Sequence, residues 1–331
     1  MPGDISLSFI ARWLWNQLFC KVPLPTTSFE GQTVIITGAN QGLGYEAAKH
    51  IIKLGAAKLI MAVRSTEKGE AAKLSLEKAT GCKPGVIEVW PMDLSSYASV
   101  KAFAERAIRE LERIDVLLEN AGVNCFDWYW AEDNEMTLTI NVVSTFLLAF
   151  LMLPKLKETA VRFNTQPRLT IVTSDTHYFV DFPEKDAPEG IFNNMNNKDK
   201  SSISGRYATS KLMEVFVVRE MAARRPIDSY PVIINMVNPG LCKSELVRNG
   251  SKFAQIVANN ILGRTTEEGS RNLVYGAGGG PETHGQYLEM CRVTRPSTVV
   301  VGPNGSQTQK RVWDEVMARL EKIVPGVSGN L

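Results

Sequence analysis

Short apolar runs alternate with longer amphipathic segments along most of this 331-residue chain. The apolar runs are typical of buried strands, and the segments between them show the apolar spacing of helices. The predicted strands lie at residues 33–37, 58–63, 86–90, 115–118, 169–173 and 232–237. The predicted helices lie at residues 45–54, 66–80, 96–113, 135–158, 203–223 and 310–323, and Ser95 is the predicted N-cap of the third. This alternation predicts an α/β fold: a doubly wound parallel sheet of about seven strands, flanked by helices, in a single domain.

The pattern divides the chain into three parts. Residues 1–29 form a helical leader, residues 30–300 form the α/β domain, and residues 301–331 form a C-terminal helix and tail. Two stretches, 178–202 and 246–263, interrupt the alternation after strands. Because ligands bind at the carboxyl ends of strands in open α/β sheets, we expect both stretches on the substrate side. Plain surface loops are the alternative interpretation.

The leader contains an apolar and aromatic stretch at residues 6–19 that is too short to span a bilayer and is interrupted by Arg12. It lacks a clear basic region and cleavage site of a signal peptide. The first interpretation is an amphipathic helix docked on the α/β domain. The alternative is peripheral membrane contact through Phe9, Trp13, Trp15 and Phe19.

Composition narrows the function classes. The 37 basic and 35 acidic residues give a net charge of +2, which leaves no electrostatic footprint for nucleic acid. The five cysteines are odd in number and none pair at metal-ligand spacing, while the three histidines lie far apart. We therefore predict free thiols, no metal site and a cytoplasmic protein, membrane-associated if the leader binds lipid.

A glycine-rich turn follows the first predicted strand and opens the next helix. Gly38 permits the tight exit from the strand, Gly42 lets the backbone approach a pyrophosphate, and Gly44 permits close packing of helix on strand. The helix N-terminus offers free N–H groups to phosphates. The turn predicts a dinucleotide site that includes Thr37, Gly38, Asn40, Gln41, Gly42, Leu43 and Gly44.

The residues after the second strand bear on the cofactor. An acidic residue here would bind the ribose 2′-hydroxyl of NAD, but the chain has Arg64 and Ser65. A guanidinium forms charge-assisted bonds to a 2′-phosphate, and Ser65 can add one more. We therefore predict NADP(H) rather than NAD(H). A solvated surface arginine is the alternative interpretation of Arg64.

Tyr207 and Lys211 lie four residues apart on a predicted helix, so their side chains share one face. An ammonium beside a phenol lowers the pKa of the phenol, and a tyrosine so tuned can exchange a proton near neutral pH. Ser174, at the end of the fifth predicted strand, is placed to donate to a substrate oxygen. Thr173 is the competing hydroxyl.

The T-G-x-x-x-G-x-G turn at Thr37–Gly44 and the Y-x-x-x-K pair resemble those of the short-chain dehydrogenase/reductase family over residues 30–290. The resemblance implies a Rossmann-type fold and catalytic roles for Ser174, Tyr207 and Lys211. It also implies that Asn141 holds a water that relays protons to the lysine. The resemblance further assigns cofactor contacts to Asp93, Leu94, Asn120, Ala121, Gly122, Tyr207, Lys211, Pro239, Gly240 and Ser244. Glu119 departs from the pattern, because the family often has asparagine there.

Other features are similar to retinol-dehydrogenase-like members and to WW-domain-oxidoreductase-like members. They include the A-V-R-S segment followed by Glu67-Lys68-Gly69 and the C-terminal Val312-Trp313. The leader before Phe29 resembles that of fungal members in secondary-metabolite pathways. The resemblance implies an enzyme that moves hydride between NADP(H) and a carbonyl or alcohol carbon of a lipophilic small molecule, with a homodimer as one assembly.

The substrate wall is predicted to include four aromatic residues, although these are equally consistent with packing against the long helix: Phe126, Trp128, Tyr129 and Trp130. An apolar wall suits lipophilic or aromatic ketones and alcohols. Two other functions stay open: a non-catalytic NADP(H)-binding sensor or scaffold, and an isomerase or dehydratase on the same fold.

Overall fold

A computed structural model of the protein describes Ile5, residues 7–243 and residues 262–331. Apolar, β-branched runs form the strands, and those of the sheet centre are buried on both faces. In chain order they are β1 Thr33–Thr37, β2 Lys58–Val63, β3 Ile87–Pro91, β4 Val116–Glu119, β5 Trp130–Ala131, β6 Asn134–Glu135, β7 Arg168–Val172, β8 Ile233–Asn238, β9 Tyr287–Glu289 and β10 Arg292–Thr294.

The main sheet has eight strands in the order β10-β9-β8-β7-β4-β1-β2-β3, while β5 and β6 form a separate hairpin. Every neighbouring pair in the main sheet is parallel except β9 with β10, which is antiparallel. The chain winds from β1 to β3 in one direction and then continues from β4 in the other. This confirms the predicted doubly wound sheet and puts the switch point between β1 and β4, where such sheets bind ligands.

The described helices cover both faces of the sheet. They are α1 Leu7–Phe19, α2 Gly42–Lys53, α3 Thr66–Thr80, α4 Tyr97–Glu110, α5 Met136–Phe163, α6 Ile191–Met195, α7 Ile203–Arg224, α8 Thr266–Ala277, α9 Thr298–Val301 and α10 Gly305–Ile323. Buried apolar residues of α2, α3 and α8 form one core cluster. Those of α4, α5, α7 and α10 form the other, larger cluster on the opposite face.

Helix α5 is long and apolar. By length and composition it could cross a membrane, but 89% of its apolar window is buried inside the protein. Near its N-terminal end it contains a π-helical segment, Thr139–Ser144, which the sequence did not predict. Because π-helical turns occur often at functional sites, the position of Asn141 within this segment bears on the site described below.

The predicted secondary structure differs from the structure at one helix end and in several elements that were not predicted. Ser96, not Ser95, caps α4: its hydroxyl accepts from the backbone N–H of Ser99 at 3.4 Å. Ser95 instead bonds the carboxylate of Asp93, which competes for its hydroxyl. The edge strands β9 and β10 and helix α8 were not predicted. Each edge strand has only three residues, too short for alternation to show.

Helix α1 docks against the ends of the central strands, as its amphipathic pattern predicts. The indole of Trp13 donates to the carboxylate of Asp175 at 2.7 Å. Phe9 packs on Tyr178 with ring centroids 5.0 Å apart. Trp15 and Phe19 are on the outer side, 60% and 66% exposed. The leader thus joins the α/β domain beside the residue that follows Ser174.

Candidate active site

The glycine turn connects β1 to α2 at the switch point. Gly42 has a φ of +60°, and a methyl group added at its Cα would meet nothing within 4 Å. At Gly44 an added methyl group would lie 2.6 Å from both the Asn120 side-chain nitrogen and the Gly38 carbonyl. Gly42 therefore leaves the space above the turn open, whereas Gly44 allows α2 to pack tightly. Gln41 is the extended residue before α2, and Asn40 and Leu43 flank it, partly buried.

The segment after β4 is tied to this turn. The Thr37 hydroxyl accepts from the backbone N–H groups of Asn120 and Ala121 at 2.9 and 2.8 Å. The Asn120 amide donates to the Thr37 carbonyl at 2.9 Å. A methyl group added at Gly122 would lie 3.2 Å from Asn141 Oδ1 and 3.5 Å from Lys211 Nζ. The structure therefore places the glycine turn and the Tyr207–Lys211 helix on either side of the 120–122 segment.

Arg64 and Ser65 follow β2, whose Ala62 carbonyl accepts from the Gly38 N–H at 2.8 Å. The Arg64 side chain is exposed and has no hydrogen bond or ion pair with any residue of the described ranges. The Ser65 hydroxyl caps α3 by accepting from the Lys68 N–H at 3.3 Å. A guanidinium and a helix N-terminus thus lie together beside the glycine turn, which is the arrangement an anionic group needs.

Asp93 and Leu94 follow β3 at the same edge. The Asp93 carboxylate accepts from the N–H and the hydroxyl of Ser95 at 2.9 and 2.7 Å. Leu94 is buried against the larger core cluster. Both residues follow the edge strand β3, at the same edge of the sheet as the glycine turn.

Tyr207, Lys211 and Ser174 converge at the end of β7. The Lys211 ammonium is 5.7 Å from the centre of the Tyr207 ring, as the spacing of four residues on α7 predicts. The Ser174 hydroxyl is a hydrogen-bonding neighbour of the Tyr207 phenol. The competing hydroxyl, on Thr173, donates to the Lys211 carbonyl at 3.0 Å and so points back into α7.

Asn141 is fully buried in the π-helical segment of α5. Its amide accepts from the Val123 N–H and donates to the Val123 carbonyl, each at 2.9 Å. It also donates to the Ser210 hydroxyl at 3.0 Å. These bonds explain why a polar residue is buried mid-helix: Asn141 joins the segment after β4 to α7, next to Lys211.

The ionisation of Tyr207 differs from the sequence expectation. Burial raises the pKa of Tyr207 well above its ordinary value, the Glu214 carboxylate raises it further, and only Ser174 opposes the shift by its hydrogen bond. Lys211 was expected to lower this pKa. That expectation is wrong for the cofactor-free protein, because the Lys211 ammonium donates to the Glu214 carboxylate at 2.8 Å.

Glu214 was missed from the sequence. It is three residues after Lys211, and the two side chains are 2% and 5% exposed. Lys211 also donates to the Val172 carbonyl at 2.9 Å. The i, i+3 spacing of Lys211 and Glu214 could have identified this ion pair from the sequence. Glu119, which departs from the family pattern, was a second signal of an unusual acidic group near Lys211. Both oxygens of Glu119 are buried without a hydrogen-bond partner among the described residues.

The segment after β8 was predicted to contact the nicotinamide. Asn238 accepts from the Gly240 N–H at 3.0 Å, and Gly240 has a φ of +77° that favours glycine. Pro239 precedes it with its carbonyl against Gly269 of α8. Ser244 and most of the predicted insert at 246–263 lie outside the described residues.

A cavity of about 330 Å³ lies between α1 and β9–β10, and Ser174, Tyr207 and Lys211 are not among its lining residues. Three aromatic rings line it, from Phe9, Trp13 and Tyr178. It also receives three guanidinium groups and one carboxyl group, those of Arg12, Arg292, Arg295 and Glu289. The predicted 178–202 stretch contributes Tyr178 to this cavity. Its helix α6 contacts α10 instead, because the backbone N–H groups of Ile191 and Phe192 donate to the Glu315 carboxylate.

Within residues 7–243 and 262–331, no cluster of three or more metal-ligating side chains was found. The groups at the carboxyl edge of the sheet are thus a phenol, an ammonium, hydroxyls, amides and an open glycine turn. The open turn fits a dinucleotide cofactor, and residues 120–122 lie between this turn and the helix of Tyr207 and Lys211.

Comparisons with known proteins agree with this geometry. A family model described as short chain dehydrogenase matches residues 32–162. The short chain dehydrogenase/reductase dmxR8 of Cryptosporiopsis sp. is 46% identical over 96% of this chain and 99% of its own length. The short-chain dehydrogenase anuD of Penicillium roqueforti is 40% identical over 95% of this chain and 84% of its own length.

Among solved structures, a protein from Mycobacterium paratuberculosis is similar, with a TM-score of 0.65 and 25% identity, covering 90% of this chain and 96% of that one. The fungal relatives match almost the whole chain, leader included, and not the glycine turn alone. On this evidence, the chain belongs to the short-chain dehydrogenase/reductase family.

Proposed function

We propose that this protein is an NADP(H)-dependent oxidoreductase that reduces a ketone or aldehyde, or oxidises the corresponding alcohol, of a lipophilic small molecule in fungal secondary metabolism. The observation that carries the proposal is the convergence of Tyr207, Ser174 and Lys211 at the sheet edge that also bears the open glycine turn. When bound, the nicotinamide supplies or accepts the hydride.

The protein's own groups divide the remaining work. Ser174 donates a hydrogen bond to the substrate oxygen and Tyr207 gives that oxygen its proton. Lys211, held by Val172 and Glu214, fixes the charge beside Tyr207. Asn141 braces the segment after β4 against α7. Positioning of this kind and proton transfer by a placed phenol account for much of the rate of such reactions.

The cavity beside α1 indicates the substrate class. Its aromatic rings suit an aromatic or lipophilic body, and its guanidinium groups suit a carboxylate or phenolate. The test is a panel of aromatic ketones and alcohols, with and without an acidic group, assayed with NADPH and NADP⁺. Turnover of the acidic aromatic members supports the proposal. NADPH binding without turnover of any member supports a sensor instead, and product without net NADPH consumption supports an isomerase.

We expect Arg64→Ser to weaken NADPH binding about tenfold to a hundredfold and to leave NADH binding unchanged, because charge-assisted bonds to the 2′-phosphate contribute about 1.5–3 kcal/mol. Fluorescence titrations with both cofactors measure this. Arg109→Ser, which removes an arginine with a 67% exposed side chain from α4, is the control. Equal loss of both cofactors, or no loss of either, would remove the basis for the NADP(H) preference.

We also propose that the outer face of α1 rests on a membrane surface, supported by the exposure of Trp15 and Phe19. The inner face is already occupied, since Phe9 and Trp13 contact the α/β domain. Co-sedimentation with phosphatidylcholine–phosphatidylserine vesicles should fall severalfold in the Trp15→Ser, Phe19→Ser double variant. If the wild-type protein does not sediment with vesicles, the membrane proposal fails and the enzymatic one stands.

A further inference from the structure

Glu214 is placed to control the charge next to Tyr207. Its carboxylate accepts from the Lys211 ammonium at 2.8 Å, and both side chains are almost completely buried. Because the pair is buried, its electrostatic effect on a nearby phenol is stronger than that of an exposed pair. The second acceptor of Lys211 is the neutral Val172 carbonyl at 2.9 Å. Glu214 is therefore the anion that compensates the Lys211 charge.

We infer that Glu214 is a positioning residue that partly neutralises Lys211 and thereby keeps the Tyr207 phenol protonated, the form in which it gives a proton to a carbonyl. A tyrosine that meets an uncompensated ammonium loses its proton more readily and becomes a base for alcohol oxidation. The pair thus raises the pH at which the phenolate needed for alcohol oxidation forms. The inference deepens the proposed function and rests on Tyr207 being the proton donor.

Other titratable groups face this pair. Glu214 interacts electrostatically with Lys211 and Tyr207 of its own helix and with Glu119 of β4. Asp175, in the segment after β7, interacts with Tyr207. Burial raises the pKa of Glu214 to about 7, although its bond with Lys211 opposes the rise. Burial raises the pKa of Glu119 well above its usual range, and ionised Glu214 adds to this.

While Glu214 is ionised, its carboxylate cancels part of the Lys211 charge beside Tyr207.

The test is the ionisation of Tyr207 in the cofactor-free protein, followed by tyrosinate absorbance. Each protein is compared with its own Tyr207→Phe counterpart, which subtracts the other seven of the eight tyrosines. Stopped-flow pH jumps read the absorbance before alkaline unfolding. Glu214→Gln keeps an acceptor for Lys211 but removes the charge. We expect Tyr207 to bind its proton about tenfold more weakly in this variant.

Glu220→Gln is the matched control: Glu220 lies on the same helix and accepts from Arg224 at 2.9 Å, at a more exposed position. It should leave the Tyr207 titration unchanged. If Glu214→Gln does not fold, Glu214→Met removes the same charge without a buried amide. The inference is overturned if Tyr207 binds its proton as tightly as in the wild type, or more tightly, in a folded Glu214 variant. It is also overturned if the Glu220→Gln control weakens proton binding by Tyr207 to the same extent.

This readout is independent of turnover. If the Tyr207 titration shifts as expected but no ketone or alcohol reacts, the inference stands and the proposed function fails. If turnover is found, Glu214→Gln should oxidise alcohols at lower pH than the wild type, while the control follows the wild-type profile.

Discussion

Tyr207→Phe should lower kcat for carbonyl reduction by roughly 10²–10⁴-fold, the usual contribution of a placed general acid. The substitution removes one oxygen from a partly buried ring and leaves the ring itself in contact with Lys211. Ser174 can still bond the substrate oxygen, so binding should persist. The loss therefore falls on the step in which that oxygen needs a proton, and NADPH affinity should stay within about threefold of the wild type.

The measurements are steady-state kinetics with the best substrate of the panel and a fluorescence titration with NADPH. Tyr45→Phe is the matched control, because the Tyr45 hydroxyl also has a serine partner, Ser75 at 2.8 Å, but lies on α2 outside the Tyr207 cluster. It should keep wild-type turnover. If Tyr207→Phe retains more than about a tenth of the wild-type kcat, Tyr207 is not the acid.

Substitutions at the glycine turn should have the next largest effect. Gly42→Ala should mainly weaken cofactor binding, whereas Gly44→Ala should also destabilise the fold. Gly42→Ala places a methyl group in open space, so packing is preserved apart from strain of about 1–2 kcal/mol at its positive φ. That methyl group occupies the space through which a pyrophosphate approaches the backbone. We expect NADPH affinity to fall at least about tenfold, or 1.4 kcal/mol.

Gly44→Ala should act through the fold as well. Its methyl group would lie 2.6 Å from the Gly38 carbonyl, a backbone atom that cannot rotate away. Overpacking of this kind costs about 1–3 kcal/mol and would push α2 off β1. Thermal unfolding should show a lower Tm than for Gly42→Ala, together with lost NADPH binding.

Gly329→Ala is the control for both glycine variants, because a methyl group there also meets nothing within 4 Å and the φ of Gly329 is not positive. It should match the wild type in Tm and in NADPH titration. If Gly42→Ala binds NADPH as tightly as the wild type, no cofactor phosphate approaches the backbone at this turn.

The central strands could be predicted to within one residue, because they are buried on both faces and appear as unbroken apolar runs. Helix α3 was predicted over its full length, Thr66–Thr80, from its charged and Ala/Leu-rich composition, and the structure ends it at Ser65 and Gly81. The edge strands β9 and β10 gave no such signal. Their place in the sheet depends on pairing with β8, a long-range contact that no local pattern encodes.

In the candidate site, too, local contacts could be predicted from the sequence and long-range contacts could not. Helical spacing predicted that Lys211 lies beside Tyr207, and the structure brings them together. Spacing did not predict the direction of the Tyr207 pKa, because that depends on Glu214 and on burial. The contact of Trp13 with Asp175, across 162 residues of chain, was equally outside any local pattern.

The most direct test of the central claim uses NADPH carrying deuterium at C4 of the nicotinamide, in each of its two stereoisomers, with a reactive ketone of the panel. According to this claim, the protein transfers hydride from the nicotinamide to the carbonyl carbon while Tyr207 protonates the carbonyl oxygen. We predict that one stereoisomer yields an alcohol with one deuterium on the carbinol carbon, and that Tyr207→Phe makes this product at least about a hundredfold more slowly. An alcohol without deuterium from either stereoisomer, or labelled alcohol formed at the wild-type rate by Tyr207→Phe, would contradict it.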